Sequence, residues 1–245
     1  MKKIFTQFLL MSFIISYICF GSIVYSKVVF EDIFSNSIYL SIFLLGCLGP
    51  FISSFIVYIS NKEKLGGMKG FIGKLKIIKS PKNIVLIPIF LIAHYGFAVI
   101  LKGVYRYGSI IDFFRYLPMM FVILGSQEIG WRGLLQPANE EKNGFWKSSI
   151  TTGLFWSLWF LPLIYIPHFI ILPQFYAQFA AYLVGVSLLL TTLYKSSGSI
   201  IYCVILSSSI FALSPVIVLK QGFILVGIAL IDAIVASTFK DKILN

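Results

Sequence analysis

The sequence predicts an all-α fold, a polytopic membrane helical bundle of about eight transmembrane helices, and three observations point to it. Hydrophobic residues form 58% of the 245-residue chain, above the roughly 45–50% apolar fraction of ordinary soluble domains. The apolar residues fall into runs near the ~20 needed to cross ~30 Å of hydrocarbon, with no period-2 alternation of the membrane-barrel kind. Fourteen of the twenty Lys and Arg sit in alternate connections between those runs, as in a chain that crosses a bilayer repeatedly.

Taken in order, the expected crossings are about Phe5 to Tyr25, Ile38 to Ser60, Ile84 to Lys102, Phe113 to Leu135, Ser148 to Leu172, Phe175 to Tyr194, Gly198 to Ser214 and Gln221 to Phe239. Lys2 and Lys3 precede the first apolar run, which carries no Ala-x-Ala-like cleavage site, so it reads as a retained helix rather than a removed signal. Pro137 is expected to stop the fourth crossing, which places Glu128 and Arg132 near one membrane face. The fifth carries Trp156 and Trp159, which read as aromatic girdle packing, and Pro162, which reads as a kink. The seventh carries Ser207-Ser208-Ser209, a density suited to close helix packing. With no internal repeat, low-complexity tract or long linker, residues 1–245 read as a single integral membrane domain.

The net charge of +11 does not point to nucleic acid, because the charges follow topology. They are Lys2 and Lys3, seven lysines from Lys62 to Lys82, Lys142 and Lys147, Lys195, and Lys240 and Lys242; the intervening loops hold chiefly Lys27, Lys102 and Arg106. The positive-inside rule then gives a multi-pass cell-membrane protein with both termini cytoplasmic. The lysine-rich stretch Asn61 to Asn83 reads as a cytoplasmic topology loop in preference to a segment lying on an anionic leaflet. The partner implied directly by composition is the lipid bilayer.

Ionisable groups at membrane depth are costly and so mark candidate sites. They are Glu128 and Arg132, four residues apart on one helix face, with His94 and Asp232 and, at the margins, Arg115 and His168; the uncharged Gln127 joins the list as a polar neighbour. No His or Lys shares a helix with Ser207 to serve a serine nucleophile. Two histidines in all are few for a zinc site with three protein ligands. Cys19, Cys47 and Cys203 lie in separate spans and read as small core residues.

Glu128-Ile129-Gly130-Trp131-Arg132-Gly133, followed by Gly153-Leu154-Phe155-Trp156-Ser157-Leu158-Trp159-Phe160-Leu161-Pro162, resembles the CAAX-protease and bacteriocin-processing (CPBP, or Abi) family of intramembrane proteases, over a core of about 113–214. Members show a Glu-Glu-x-x-x-Arg motif, a Trp-x-x-Leu-Trp-His-Leu-Pro run and a His-x-x-x-Asn on a later helix. The resemblance implies a glutamate that activates water, histidines that hold a zinc or that water, and an asparagine for the oxyanion. Here the acid-arginine pair is kept as Glu128 and Arg132. The other motif positions are Gln127, Phe160, Ser207 and Phe211.

Losing a general base costs about 10² to 10⁴ in rate and losing an oxyanion donor about 10² to 10³. The sequence therefore reads as a catalytically degenerate protease homologue, a pseudoenzyme acting by binding a membrane protein or peptide partner in regulation or bacteriocin immunity. No cofactor is expected, or zinc if the family activity is retained. The alternative is an active intramembrane endopeptidase using Glu128 with a histidine recruited from elsewhere. A small transporter using Asp232, Glu128 and Arg132 is the second alternative.

Overall fold

A computed structural model describes residues 2–244, with side chains described for 3–240, so the Lys2 and Lys242 charges used above lie outside the described side chains. Helix α1 (Lys2–Tyr25) is followed by α2 (Ser37–Cys47) and α3 (Gly49–Ser60), a pair bent by 51°. Asn36 starts α2 by accepting from the amides of Ile38 and Tyr39, at 3.0 and 3.3 Å. The bend follows from Pro50, which has no N–H for the Gly46 carbonyl and whose ring crowds it. In hydrocarbon the freed carbonyls need new donors. Ser16 Oγ donates to Gly46 O at 2.7 Å, and Gln127 Nε2 donates to Cys47 O at 3.1 Å.

A surface helix, α4 (Gly67–Lys76), leads into a 3₁₀ turn (Pro81–Val85) and α5 (Leu86–Ile100). Strand β1 (Val104–Tyr107) precedes α6 (Ile110–Ile123), whose first turn is capped by the Ser109 hydroxyl accepting from Ile111 N at 3.2 Å. The helix then continues in changing registers: a 3₁₀ turn (Gly125–Gln127), one α turn (Glu128–Gly130), a π turn (Trp131–Leu135), and α7 (Gln136–Phe160). Next come α8 (Tyr176–Ser197), α9 (Ile200–Leu213), strand β2 (Ile217–Leu219), which pairs antiparallel with β1, and α10 (Phe223–Leu244).

The all-α membrane bundle stands, with several adjustments to its elements. Among the described residues, five stretches are long and apolar enough to cross a membrane, or six with the bent pair, against the eight crossings expected. The difference arises because the 56-residue stretch Ile110–Tyr165, kinked at Gly144 where φ is 69°, counts once, and because α9 is shorter. Pro137 does not stop the fourth crossing. The π turn before it shifts the hydrogen-bond register, so Pro137 falls in the first turn of α7, where its missing N–H is no loss. Pro162 ends α7 instead of kinking it, leaving 166–172 as loop. Trp156 and Trp159 are wholly buried in the core, not in an interfacial girdle.

Helix α8 is the centre of the bundle: most of its residues are buried, whereas the other long spans leave most of theirs in the open. Small residues admit its neighbours, because a Cβ on Gly153 would stand 2.7 Å from Val184 Cα and one on Gly185 2.6 Å from Ala229 Cα. Outward faces carry Ile14, Ile18, Ile92, Leu230 and Ile234 in the open, as lipid-facing helices do. The connections gather at two ends. Gln7 meets Ser60 and Asn61, Lys79 and Ser80 bond Ser197, Glu140 pairs with Lys195, and Lys240 lies over Phe145 and Trp146. At the other end Phe30 bonds Pro167, Gln221 bonds Leu172, and β1 meets β2. Most of the lysines thus share one end of the bundle with the chain's first and last helical turns.

Candidate functional site

Glu128 and Arg132 face the same side of the α–π segment, with Glu128 Oε2 3.3 Å from Arg132 Nε and both side chains fully buried. Within the described residues, no hydrogen bond of good geometry reaches either carboxylate oxygen or any guanidinium nitrogen. A buried ion pair of this kind is costly in a low dielectric, and π turns recur at functional sites. Helix α9 covers the pair. Ser207 stands beside the Glu128 carboxylate, Cys203 is near both charges, and Ser208 fits against Gly125, where a Cβ would lie 2.3 Å from its hydroxyl.

The other motif positions divide. Phe160 at the end of α7 stacks on Phe211 of α9, centroids 6.4 Å apart at 23°, one helical turn along from Ser207. Trp156 meets Phe211 at 5.9 Å and Phe179 meets Phe160 at 5.2 Å, both edge-on. Glu128, Ser207, Phe211 and Phe160 are therefore linked on one side of α9. Gln127 turns the other way, toward the bend between α2 and α3. Its Nε2 donates to the carbonyls of Cys47 and Ile123 at 3.1 and 2.5 Å, and its Oε1 accepts from Trp131 Nε1 at 3.2 Å.

Neither histidine serves Glu128 with a ring nitrogen. His94 on α5 is buried between α8 and α10, with Nδ1 2.8 Å from Asp232 Oδ2 and Nε2 3.0 Å from the Tyr182 hydroxyl. Nδ1–H donating to the carboxylate and the tyrosine O–H donating to Nε2 satisfies both ring nitrogens and the hydroxyl, while Asp232 Oδ1 has no hydrogen-bond partner among the described residues. His168, expected near the end of a span, sits instead in the loop after α7 with φ of 61°, paired to Glu31 at 3.3 Å, both side chains about two-thirds exposed. Arg115 pairs with Asp112 at 3.4 Å on the surface.

Sequence reading noted His94 and Asp232 but missed their pairing, since 138 residues separate them. Two lone intramembrane groups of opposite type were the available signal, because each requires a partner. Ser16 was missed altogether, yet it bonds Gly46 O and accepts from Trp159 Nε1 at 2.7 Å.

Chemically, the arrangement offers one carboxylate, one guanidinium and hydroxyls within an aromatic wall. Zinc does not fit these residues: Phe160 and Phe211 have no donor atoms, and among the described residues no three His, Cys, Asp or Glu gather to hold a metal.

Residues 109–213 match the family model described as type II CAAX prenyl endopeptidase, Rce1-like. The chain is similar to CAAX prenyl protease 2 of Methanococcus maripaludis, 31% identical over 176 residues, which cover 65% of this chain and 62% of that protein. It therefore spans under two thirds of that relative's length.

Proposed function

From the match of residues 109–213 to the Rce1-like CAAX prenyl endopeptidase family model and the likeness to CAAX prenyl protease 2, we propose that the protein keeps that family's scaffold but acts by binding instead of hydrolysis. The observation that carries this reading is the Phe160–Phe211 stack, which puts two rings where the resemblance implies a histidine and an asparagine. Further support comes from Gln127, whose amide donates to two carbonyls and has no proton-accepting role, and from His94, both of whose ring nitrogens are committed. Glu128 alone would lack an orienting imidazole, an oxyanion donor and a metal.

The ligand of such a site is a peptide or membrane-protein segment, with regulation or bacteriocin immunity as its setting. The lysine-rich end faces the cytoplasm in this reading, in keeping with the positive-inside rule. The test uses the purified full chain in proteoliposomes with a prenylated CAAX-type peptide, read by mass spectrometry. We expect no product above that of Glu128→Ala, and photocrosslinking of a peptide to a probe placed at position 211. Cleavage that disappears in Glu128→Ala would overturn the proposal in favour of an active endopeptidase, a reading supported by Ser207 standing beside Glu128. Asp232-dependent solute flux into the same liposomes would instead support transport.

A further inference from the structure

The lysine-rich connection is structured, and its side chains sort into three sectors. On α4, Gly67 and Phe71 face the bundle, and Phe71 packs edge-on against Phe51, Phe55 and Tyr58 of α3 at 5.9, 5.5 and 5.4 Å. Those rings fix the helix to the flank of the bundle. One residue further round, about 100° on the helix, Met68 and Ile72 are left 46% and 42% exposed, and Ile77 and Ile78 just downstream are equally open. A further step round lie Lys69 and Lys76, seven residues apart and so on one edge, both exposed. Lys62, Lys64, Lys79 and Lys82 are exposed too, and none of the seven lysines forms an ion pair among the described residues. Only Glu63 offsets them within 61–83.

We propose that α4 and its flanking lysines form a binding site for anionic phospholipid headgroups at the lysine-rich end of the bundle. An exposed apolar edge beside a basic edge, on a helix tethered where two spans leave the membrane, is the arrangement of an interfacial helix. Met68 and Ile72 enter the headgroup–acyl boundary, while the lysine stems lie along it and their ammonium groups reach lipid phosphates. Charge decides the occupant: six exposed cations with one carboxylate among them, set beside apolar side chains, match an anionic leaflet. A plain aqueous loop would give Met68 and Ile72 no reason to stay together in the open. Lys74 is not counted in the site, because it leans over the Tyr194 ring at 5.5 Å and burial lowers its pKa.

The experiment uses the full chain in nanodiscs of phosphatidylcholine, with and without phosphatidylglycerol. Cys19, Cys47 and Cys203 are free and buried, so Ile72→Cys can carry a bimane label selectively. With phosphatidylglycerol we expect bimane emission to shift to the blue and to be quenched by nitroxide lipids. We also expect native mass spectrometry to retain phosphatidylglycerol over phosphatidylcholine. Preference should fall roughly fivefold for each lysine removed in Lys62→Gln/Lys64→Gln/Lys69→Gln/Lys76→Gln, and fall with salt in the unaltered protein. Lys142→Gln/Lys147→Gln, at the same end but off α4, should leave it unchanged. Three results would each overturn the proposal: a label equally open to iodide in both lipids, a preference that survives the four substitutions, or one lost equally in the Lys142/Lys147 control. The salt series on the unaltered protein decides the matter should the fourfold variant be poorly folded.

Discussion

Gln127 shows how one side-chain atom type decides a residue's role. Its Nε2 must donate to Cys47 O and Ile123 O, which an ionised carboxylate cannot do. Gln127→Glu, which would restore the motif's letter, should therefore lower stability by about 1–3 kcal/mol through two carbonyls left without a donor. Thermal unfolding in detergent checks this, and an unchanged midpoint would refute the donor role. The Glu128–Arg132 pair behaves differently, because each charge is the other's main compensation. Removing one partner, as in Arg132→Met, should cost about 3–5 kcal/mol, whereas Glu128→Gln with Arg132→Met should recover much of that loss. A double-mutant cycle of unfolding midpoints measures the coupling.

At the scale of elements, the bundle is held by close approach where side chains are small. Gly153 lies against the α8 backbone and Gly185 against the α10 backbone, so Gly153→Ala and Gly185→Ala should each destabilise by about 1–3 kcal/mol through overpacking. Gly96→Ala, with nothing within 4 Å of its Cβ, should be neutral or slightly stabilising by helix propensity. Equal midpoints for all three would refute the packing account. The bend between α2 and α3 rests on Pro50 and on two donors from other helices, Ser16 and Gln127. Ser16→Ala should remove about 0.6–2 kcal/mol, the range for interhelical hydrogen bonds in membranes, since Trp159 Nε1 loses its acceptor as Gly46 O loses its donor. The same unfolding assay reads it.

For the whole molecule, the Asp232–His94–Tyr182 chain joins three helices that are distant in sequence. Asp232→Ala should loosen α10 from α5 and α8, with a loss of about 1–3 kcal/mol as the buried His94 Nδ1–H loses its acceptor, and faster hydrogen exchange in 223–240. Protection unchanged there would show that α10 is held by apolar packing alone. The helical class and most helix cores were legible in the sequence because lipid demands long apolar runs with internally satisfied backbones. Boundaries near Pro137 and Pro162 were not, since whether a proline stops or starts a helix depends on the preceding hydrogen-bond register. The motif positions could be named from the family resemblance, but the different partners of Gln127 and Glu128 could not: a 3₁₀, an α and a π turn succeed one another there.

The sequence by itself determined a membrane-embedded all-α chain, its uneven charge, and a family motif that keeps Glu128 and Arg132 while lacking both histidines. Solvent transfer and residue chemistry act locally, so a linear string carries them. Only the tertiary structure decided that His94 belongs to Asp232, that Gln127 serves a broken helix, that Phe160 and Phe211 stack beside Ser207, and that the lysine helix presents an apolar edge. Each of these depends on which donor meets which acceptor, or which ring meets which ring, across helices far apart in the chain, and packing alone sets that.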